Sequence, residues 1–189
     1  LEMFIAPYNQ NASWSTGGLG GTHRFLQRIW TLVEEFNETD GGIAESIELQ
    51  RAVHKAIKKV THDLEEMGFN TAIAAMMELV NELYHIKVED KFASTEWQWA
   101  LETLLQLLAP FAPHISEELW EQLGQDESIH ASKWPVYDEK FLVQDKVTIV
   151  IQVNGKLRGE VEIETDTEEA KVVEAAKTNQ KVAGYLKDQ

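Results

Sequence analysis

Between residues 21 and 124 apolar side chains recur every three to four positions, and this period decides most of what the chain can become. Phe25, Leu26, Ile29, Trp30, Val33 and Phe36 make one stripe over 21–37. Ile47, Leu49, Val53, Ile57, Val60, Leu64 and Met67 make a second over 44–67, with Gly68 as its expected C-terminal stop. Asn70 is placed to cap a third helix, through Ile73, Met76, Met77, Val80 and Leu83. Ser94 is placed to cap a fourth, through Trp97, Leu101, Leu104, Leu105 and Leu108. Pro110 ends that helix, Pro113 opens a fifth at its first turn, and Gly124 closes it. Five helices joined by short loops give an α-helical bundle, set here at residues 1–124.

The period then fails. Residues 125–145 hold Pro135 and scattered aromatics, which predicts a surface connection. Val147-Thr-Ile-Val-Ile-Gln-Val153 is a β-branched run, Asn154-Gly155 is a strong hairpin turn signal, and Leu157, Val161 and Ile163 continue a second strand. Thr167-Glu-Glu169 opens a helix through Val172, Val173 and Ala176, and Val182 and Tyr185 mark a last helical piece. Residues 146–189 are therefore expected to form a small, truncated α/β domain. Two strands alone are marginal, so this unit either leans on the bundle or needs strands beyond Gln189. The fold class is mainly α.

A 43% hydrophobic chain of 189 residues can bury a core without staples. With no Cys, disulfides, thiolate metal sites and Cys nucleophiles are excluded. No run approaches a membrane span and no leader pattern opens the chain, so a soluble cytoplasmic protein is expected. The start at Leu1, within what reads as an element already under way, points to a fragment of something larger. The net charge of −15 opposes binding to a phosphate backbone. It is uneven: residues 1–145 hold 10 basic and 24 acidic residues, whereas 146–189 hold 7 and 8.

Most motifs have an ordinary reading. Gly17-Gly-Leu-Gly-Gly21 precedes a helix and could cradle phosphate, but no strand leads into it and no P-loop pattern is present, which favours a turn. His114, Glu117 and Glu118 lack the second His of a zinc-protease helix, and first-turn capping explains them. Trp97, Trp99, Trp120 and Trp134 read as packing residues. Two groups stay open. Arg51, Lys55, Lys58, Lys59 and His62 recur about one helical turn apart, opposite the apolar set, and form either a solvated face or a phosphate-contacting ridge. Lys156 and Arg158, with Asn154 at the turn, either reach nucleic acid or protect a strand edge. Residue chemistry shows no catalytic constellation and does not choose between a nucleic-acid-binding and a protein-interaction module.

Several stretches resemble the C-terminal part of bacterial leucyl-tRNA synthetases. They are Ala12-Ser-Trp14 with Arg24-Phe-Leu-Gln-Arg-Ile-Trp30, Phe69-Asn-Thr-Ala-Ile-Ala74, Pro110-Phe-Ala-Pro-His-Ile-Ser-Glu-Glu-Leu-Trp120, Trp134-Pro-Val-Tyr137 and Ile151-Gln-Val-Asn-Gly-Lys-Leu-Arg-Gly159. The stretch 110–120 is shared with valyl and isoleucyl relatives, so equivalent pieces of those enzymes are the alternative; the hairpin argues for the leucyl type. The resemblance implies a ligase parent that joins leucine to its tRNA through an adenylate made with ATP and Mg. The catalytic signatures His-Ile-Gly-His and Lys-Met-Ser-Lys-Ser and the editing insertion are not in this sequence, so the fragment is expected to be inert and to hold no cofactor. It implies leucine tRNA and the parent's own catalytic domain as partners, and a monomer. It also raises Arg51, Lys55, Lys58 and Lys59 as a tRNA-facing ridge. Asn154, Lys156 and Arg158 become contacts from the tail, and Arg24 and Arg28 candidates nearer the catalytic side.

Overall fold

The structure is a computed structural model that describes residues 1–11, 13, 16–39, 46–89, 92, 95–142, 146–153, 156–164 and 169–178. It divides into two compact units, Leu1–Leu142 and Val143–Gln189. The first carries helices α1 (Glu2–Ile5), α2 (Leu19–Asn37), α3 (Ile47–Glu65), α4 (Phe69–Glu89), α5 (Thr95–Leu108) and α6 (Pro113–Gln122). The second carries β1 (Lys146–Val153), β2 (Lys156–Glu164) and α7 (Glu169–Thr178).

The stripes announced for α2 to α5 are largely buried, except that Ile47 and Met67, at the two ends of the second, are exposed. Ile29, Leu32 and Val33 of α2, Val53, Ile57 and Val60 of α3, Met76 and Leu83 of α4, and Leu101, Leu104 and Leu105 of α5 meet in one core. Each such side chain contributes about 1.5–3 kcal/mol by leaving water. α3 is central: it packs along α4 and against α5. Its start is capped as the sequence chemistry allows. Ser46 accepts a hydrogen bond from the Leu49 N–H at 3.3 Å, and its own N–H donates to Glu96 of α5 at 2.7 Å. Trp97 and Trp120 are buried, and the Trp120 Nε1–H donates to the Glu127 carbonyl at 2.9 Å.

The helix ends depart from expectation. Leu19, Gly20 and Gly21 lie inside α2, after a 3-10 turn at Thr16–Gly18, instead of in a loop. Asn70 lies inside α4 and does not cap it. At the end of α3 the left-handed residue is Met67, with φ 58°, not Gly68. The Gly68 N–H donates to the Asp63 carbonyl at 2.6 Å and the Met67 N–H to Leu64 at 3.2 Å, the paired bonds of a Schellman stop. Gly68 serves a different need: a Cβ there would come within 2.8 Å of Thr71 Oγ1. At the end of α6 the expected residue does take the position, Gly124 with φ 87°. Glu117 and Glu118 lie in the second turn of α6, not the first. Glu117 accepts from Ser128 Oγ at 3.0 Å and the Ile129 N–H at 3.2 Å, pinning the loop that follows. The Ser94 cap, the Asn154-Gly155 turn and the helical piece at Val182 and Tyr185 lie outside the described residues.

The aperiodic stretch after Gly124 behaves differently from a free connection. Through Leu142 it belongs to the same compact unit as the helices. The Trp134 Nε1–H donates to Thr61 Oγ1 at 2.9 Å, and Phe141 stacks on His54 with ring centroids 4.6 Å apart. The sequence hides this because the contacts are single aromatic anchors, which leave no period.

In the second unit β1 and β2 pair antiparallel from Lys146↔Glu164 to Val153↔Lys156. The register shifts between Ile151, opposite Gly159, and Gln152, opposite Leu157, which leaves Arg158 as an extra residue on β2. That is a β-bulge, a device that bends a strand and re-aims a side chain. α7 packs against β2.

Candidate nucleic-acid interface

The ridge on α3 is real as geometry. Lys55, Lys58 and Lys59 are exposed and Arg51 is half-buried, while Val53, Ile57 and Val60 point into the core. None of the three lysines stands alone. Lys55 Nζ lies 3.5 Å from Glu82 of α4. Lys58 Nζ lies 3.2 Å from Glu139 and 5.3 Å from the centre of the Tyr137 ring. Lys59 Nζ meets both carboxylate oxygens of Asp63 at 2.5 Å.

These pairs differ in kind. Asp63 is buried in the last turn of α3, where the helix dipole disfavours an acid, so Lys59 compensates a charge that the fold has placed badly. Glu82 and Glu139 are solvated, and their pairs with Lys55 and Lys58 are the weak surface kind. A phosphate could replace either.

A strap of residues 134–141 runs beside the ridge. His54 of α3, buried between Phe141 and Trp99, accepts the Asp138 N–H through Nδ1 at 3.1 Å. That bond requires a neutral Nδ1. Burial lowers the His54 pKa below its usual value, against the attraction of Asp138 and with the repulsion of Lys140. The Asp138 carboxylate is held below its usual range by its hydrogen bonds from Lys140. Sequence reasoning placed His62 with the ridge and missed His54 as the anchor. The available signal was its place among buried residues of α3, between Val53 and Ile57.

A second cationic cluster joins α2 to α4. The Arg28 guanidinium sits 4.5 Å above the Tyr84 ring and donates to Asn81 Oδ1 at 2.6 Å, while the Tyr84 hydroxyl donates to the Arg28 carbonyl at 3.0 Å. Lys87 pairs with Glu35 and covers Tyr84 and Phe92. Burial and the Glu35 charge raise the Tyr84 pKa, keeping the phenol protonated as a donor. Arg28 is thus a fixed, stacked guanidinium, and Arg24 is an exposed one a turn earlier. In the second unit Lys156 pairs with Val153 at the end of the ladder and Arg158 occupies the bulge. Asn154 lies outside the described residues.

Among the described residues no group of three or more His, Asp or Glu could hold a metal ion. Of the glycine run, Gly17 and Gly18 lie in a 3-10 turn and Gly20 and Gly21 inside α2. No described helix is long and apolar enough to cross a membrane.

The first unit is thus a helical bundle with a paired cationic face on α3, and the second a two-stranded sheet with a helix against it. Residues 48–174, more than half the chain, match the family model described as the anticodon-binding domain of tRNA ligase, and the chain belongs to that family. A leucine–tRNA ligase of Herpetosiphon aurantiacus is 41% identical over 181 residues, covering 96% of this chain and 22% of the relative. One from Chlorobaculum tepidum is 46% identical over 191 residues, covering 100% and 23%. The crystal structure of a LeuRS–tRNA–LeuAMS ternary complex from Agrobacterium radiobacter matches with a TM-score of 0.75 at 31% identity, over 98% of this chain and 25% of that one. The chain therefore spans about a quarter or less of the length of the relatives it matches.

Proposed function

We propose that this chain is the tRNA-supporting portion of a leucine–tRNA ligase. The observation that carries the proposal is that leucine–tRNA ligases match across nearly the whole chain at 41% and 46% identity. A structural relative was also solved with tRNA bound. In this reading the parent is the enzyme that joins leucine to its tRNA with ATP and Mg, and this portion does none of the chemistry. It braces tRNA and docks on the parent's catalytic domain, as a monomer in the cytoplasm. The bundle's contacts come from Arg51, Lys55 and Lys58 on α3, with Lys59 held back by Asp63, and from Arg24 and Arg28 on α2. The tail contributes Asn154, Lys156 and Arg158.

Titration of the 189-residue chain with leucine tRNA and with valine tRNA at two salt concentrations tests this. Salt-sensitive binding that favours leucine tRNA is expected, since phosphate contacts release counterions. Leucine and ATP added without RNA are expected to leave the thermal midpoint unmoved. Salt-insensitive self-association with no RNA binding would instead make the bundle a protein-interaction module, and a thermal shift with ATP or leucine would contradict the assignment of chemistry elsewhere.

A further inference from the structure

The lysines of α3 that are best placed for phosphate are already occupied by carboxylates from other elements, and the two carboxylates arrive from different parts of the fold. Ala52 and Ala56 of α3 and Ala75 of α4 line the groove between these helices, and small side chains there let α4 approach until Glu82 reaches Lys55. Glu139 reaches Lys58 from the strap, which is itself fastened by Trp134 to Thr61 and by Asp138 to His54. The fold thus sets the backbone positions of both acids, while their carboxylates stay solvated. The third pair differs, because buried Asp63 needs Lys59 for its own stability and is no competitor for a ligand.

We propose that Glu82 and Glu139 are specificity-determining residues that compete with RNA phosphates for Lys55 and Lys58. This rests on the reading of α3 as an RNA-facing ridge. A lone phosphate gains little by replacing one solvated carboxylate, since it exchanges one weak ion pair for another. An RNA that presents phosphates to both lysines at once displaces both acids and adds contacts elsewhere. The pairs therefore suppress adventitious anion binding and leave binding to ligands of matching shape. They also flatten the salt dependence, because a lysine that merely changes partner contributes less than a free one to net counterion release.

The test is binding of leucine tRNA and valine tRNA to the 189-residue chain and to four variants. Glu82→Gln/Glu139→Gln keeps side-chain shape and hydrogen bonding while removing the competing charges. Glu118→Gln/Glu121→Gln removes the same charge from α6, where both side chains are exposed. Lys55→Met/Lys58→Met removes the contested cations, and the fourth variant combines it with Glu82→Gln/Glu139→Gln. The first variant is expected to bind both RNAs more tightly, by about 1.5- to fivefold for each acid removed. It should discriminate less between them, and its log–log salt slope should steepen by about one to two. The α6 variant should change much less, and the combined variant should lose the gain. Equal gains in the first and α6 variants, or a gain that survives loss of the lysines, would overturn the proposal by showing a general charge effect. Weaker binding on loss of the lysines, with no gain on loss of the acids, would overturn competition and leave the ridge standing. If loss of the lysines changes binding in neither background, the ridge reading itself falls and takes this inference with it. Unchanged thermal midpoints establish that each variant is folded.

Discussion

Met67 holds a positive φ of 58° without being glycine, and Gly124 holds 87° at the matching position of another helix stop. The left-handed conformation strains any residue with a Cβ, by about 1–2 kcal/mol. Met67 is 52% exposed, so its side chain adds little packing in return. Met67→Gly is therefore expected to raise stability by about 0.5–1 kcal/mol in urea denaturation, after the extra chain entropy of glycine is set against the relieved strain. Gly124→Ala is expected to lower it by about 1 kcal/mol, through backbone strain alone, because nothing lies within 4 Å of the added Cβ. Opposite signs at two like-built stops would locate the effect in the backbone; a loss at Met67 would mean its side chain packs usefully after all. Both stops were visible in the sequence as glycines near the end of a period. What was not visible is the one-residue offset at Gly68. There an added Cβ would crowd Thr71 Oγ1 at 2.8 Å and the Asp63 carbonyl at 3.3 Å, contacts local to the α3–α4 junction that helical spacing does not report.

At the scale of elements, the bundle helices α2 to α6 were legible and the strap was not, for one physical reason. A helix that packs along its length repeats its demand every turn, whereas the strap meets α3 through isolated anchors at Trp134, Tyr137, Asp138 and Phe141. The candidate ridge was legible as a cationic face for the same periodic reason. Its ion pairs were not, because Glu82 and Glu139 are brought to it by the packing of α4 and the strap. The strap's attachment should also titrate. His54 is neutral in the folded state and its pKa is lowered there, so the unfolded chain takes up its proton first as pH falls. Stability tied to His54 is complete above the ordinary His pKa of about 6.5, and it is lost as pH drops from there toward the lower folded value. The other five histidines lie on the surface. Denaturation midpoints measured between pH 7 and 5 are expected to fall, and His54→Phe, which keeps the stack on Phe141 but cannot bind a proton, should flatten that decline. An unchanged slope in the variant would mean the decline comes from other groups.

For the whole molecule the governing consideration is that the proposed polyanion partner would face a chain of net charge −15. Long-range attraction cannot hold the two together, so binding must come from local cations close enough to phosphate to outweigh the surrounding field, within a Debye length of about 10 Å at 0.1 M salt. The distribution of charge makes the tail the easier place to do this. Residues 146–189 are nearly neutral, with 7 basic and 8 acidic residues, whereas the preceding 145 carry 10 against 24. There β2 carries Lys156 at the end of the ladder and Arg158 at the bulge, two cationic residues two positions apart in sequence. The expected result follows from counting. Each phosphate contact contributes about 0.7–0.9 to the slope of log affinity against log salt. Lys156→Ala/Arg158→Ala should therefore reduce that slope by about 1.4–1.8 for leucine tRNA if both side chains sit on phosphates. A smaller slope change with a larger loss of selectivity would place Arg158 on a base edge, since such contacts carry sequence information and phosphate contacts do not. A variant that binds as the parent chain does at every salt would remove the tail from the RNA interface and leave the recognition to the bundle's arginines and lysines.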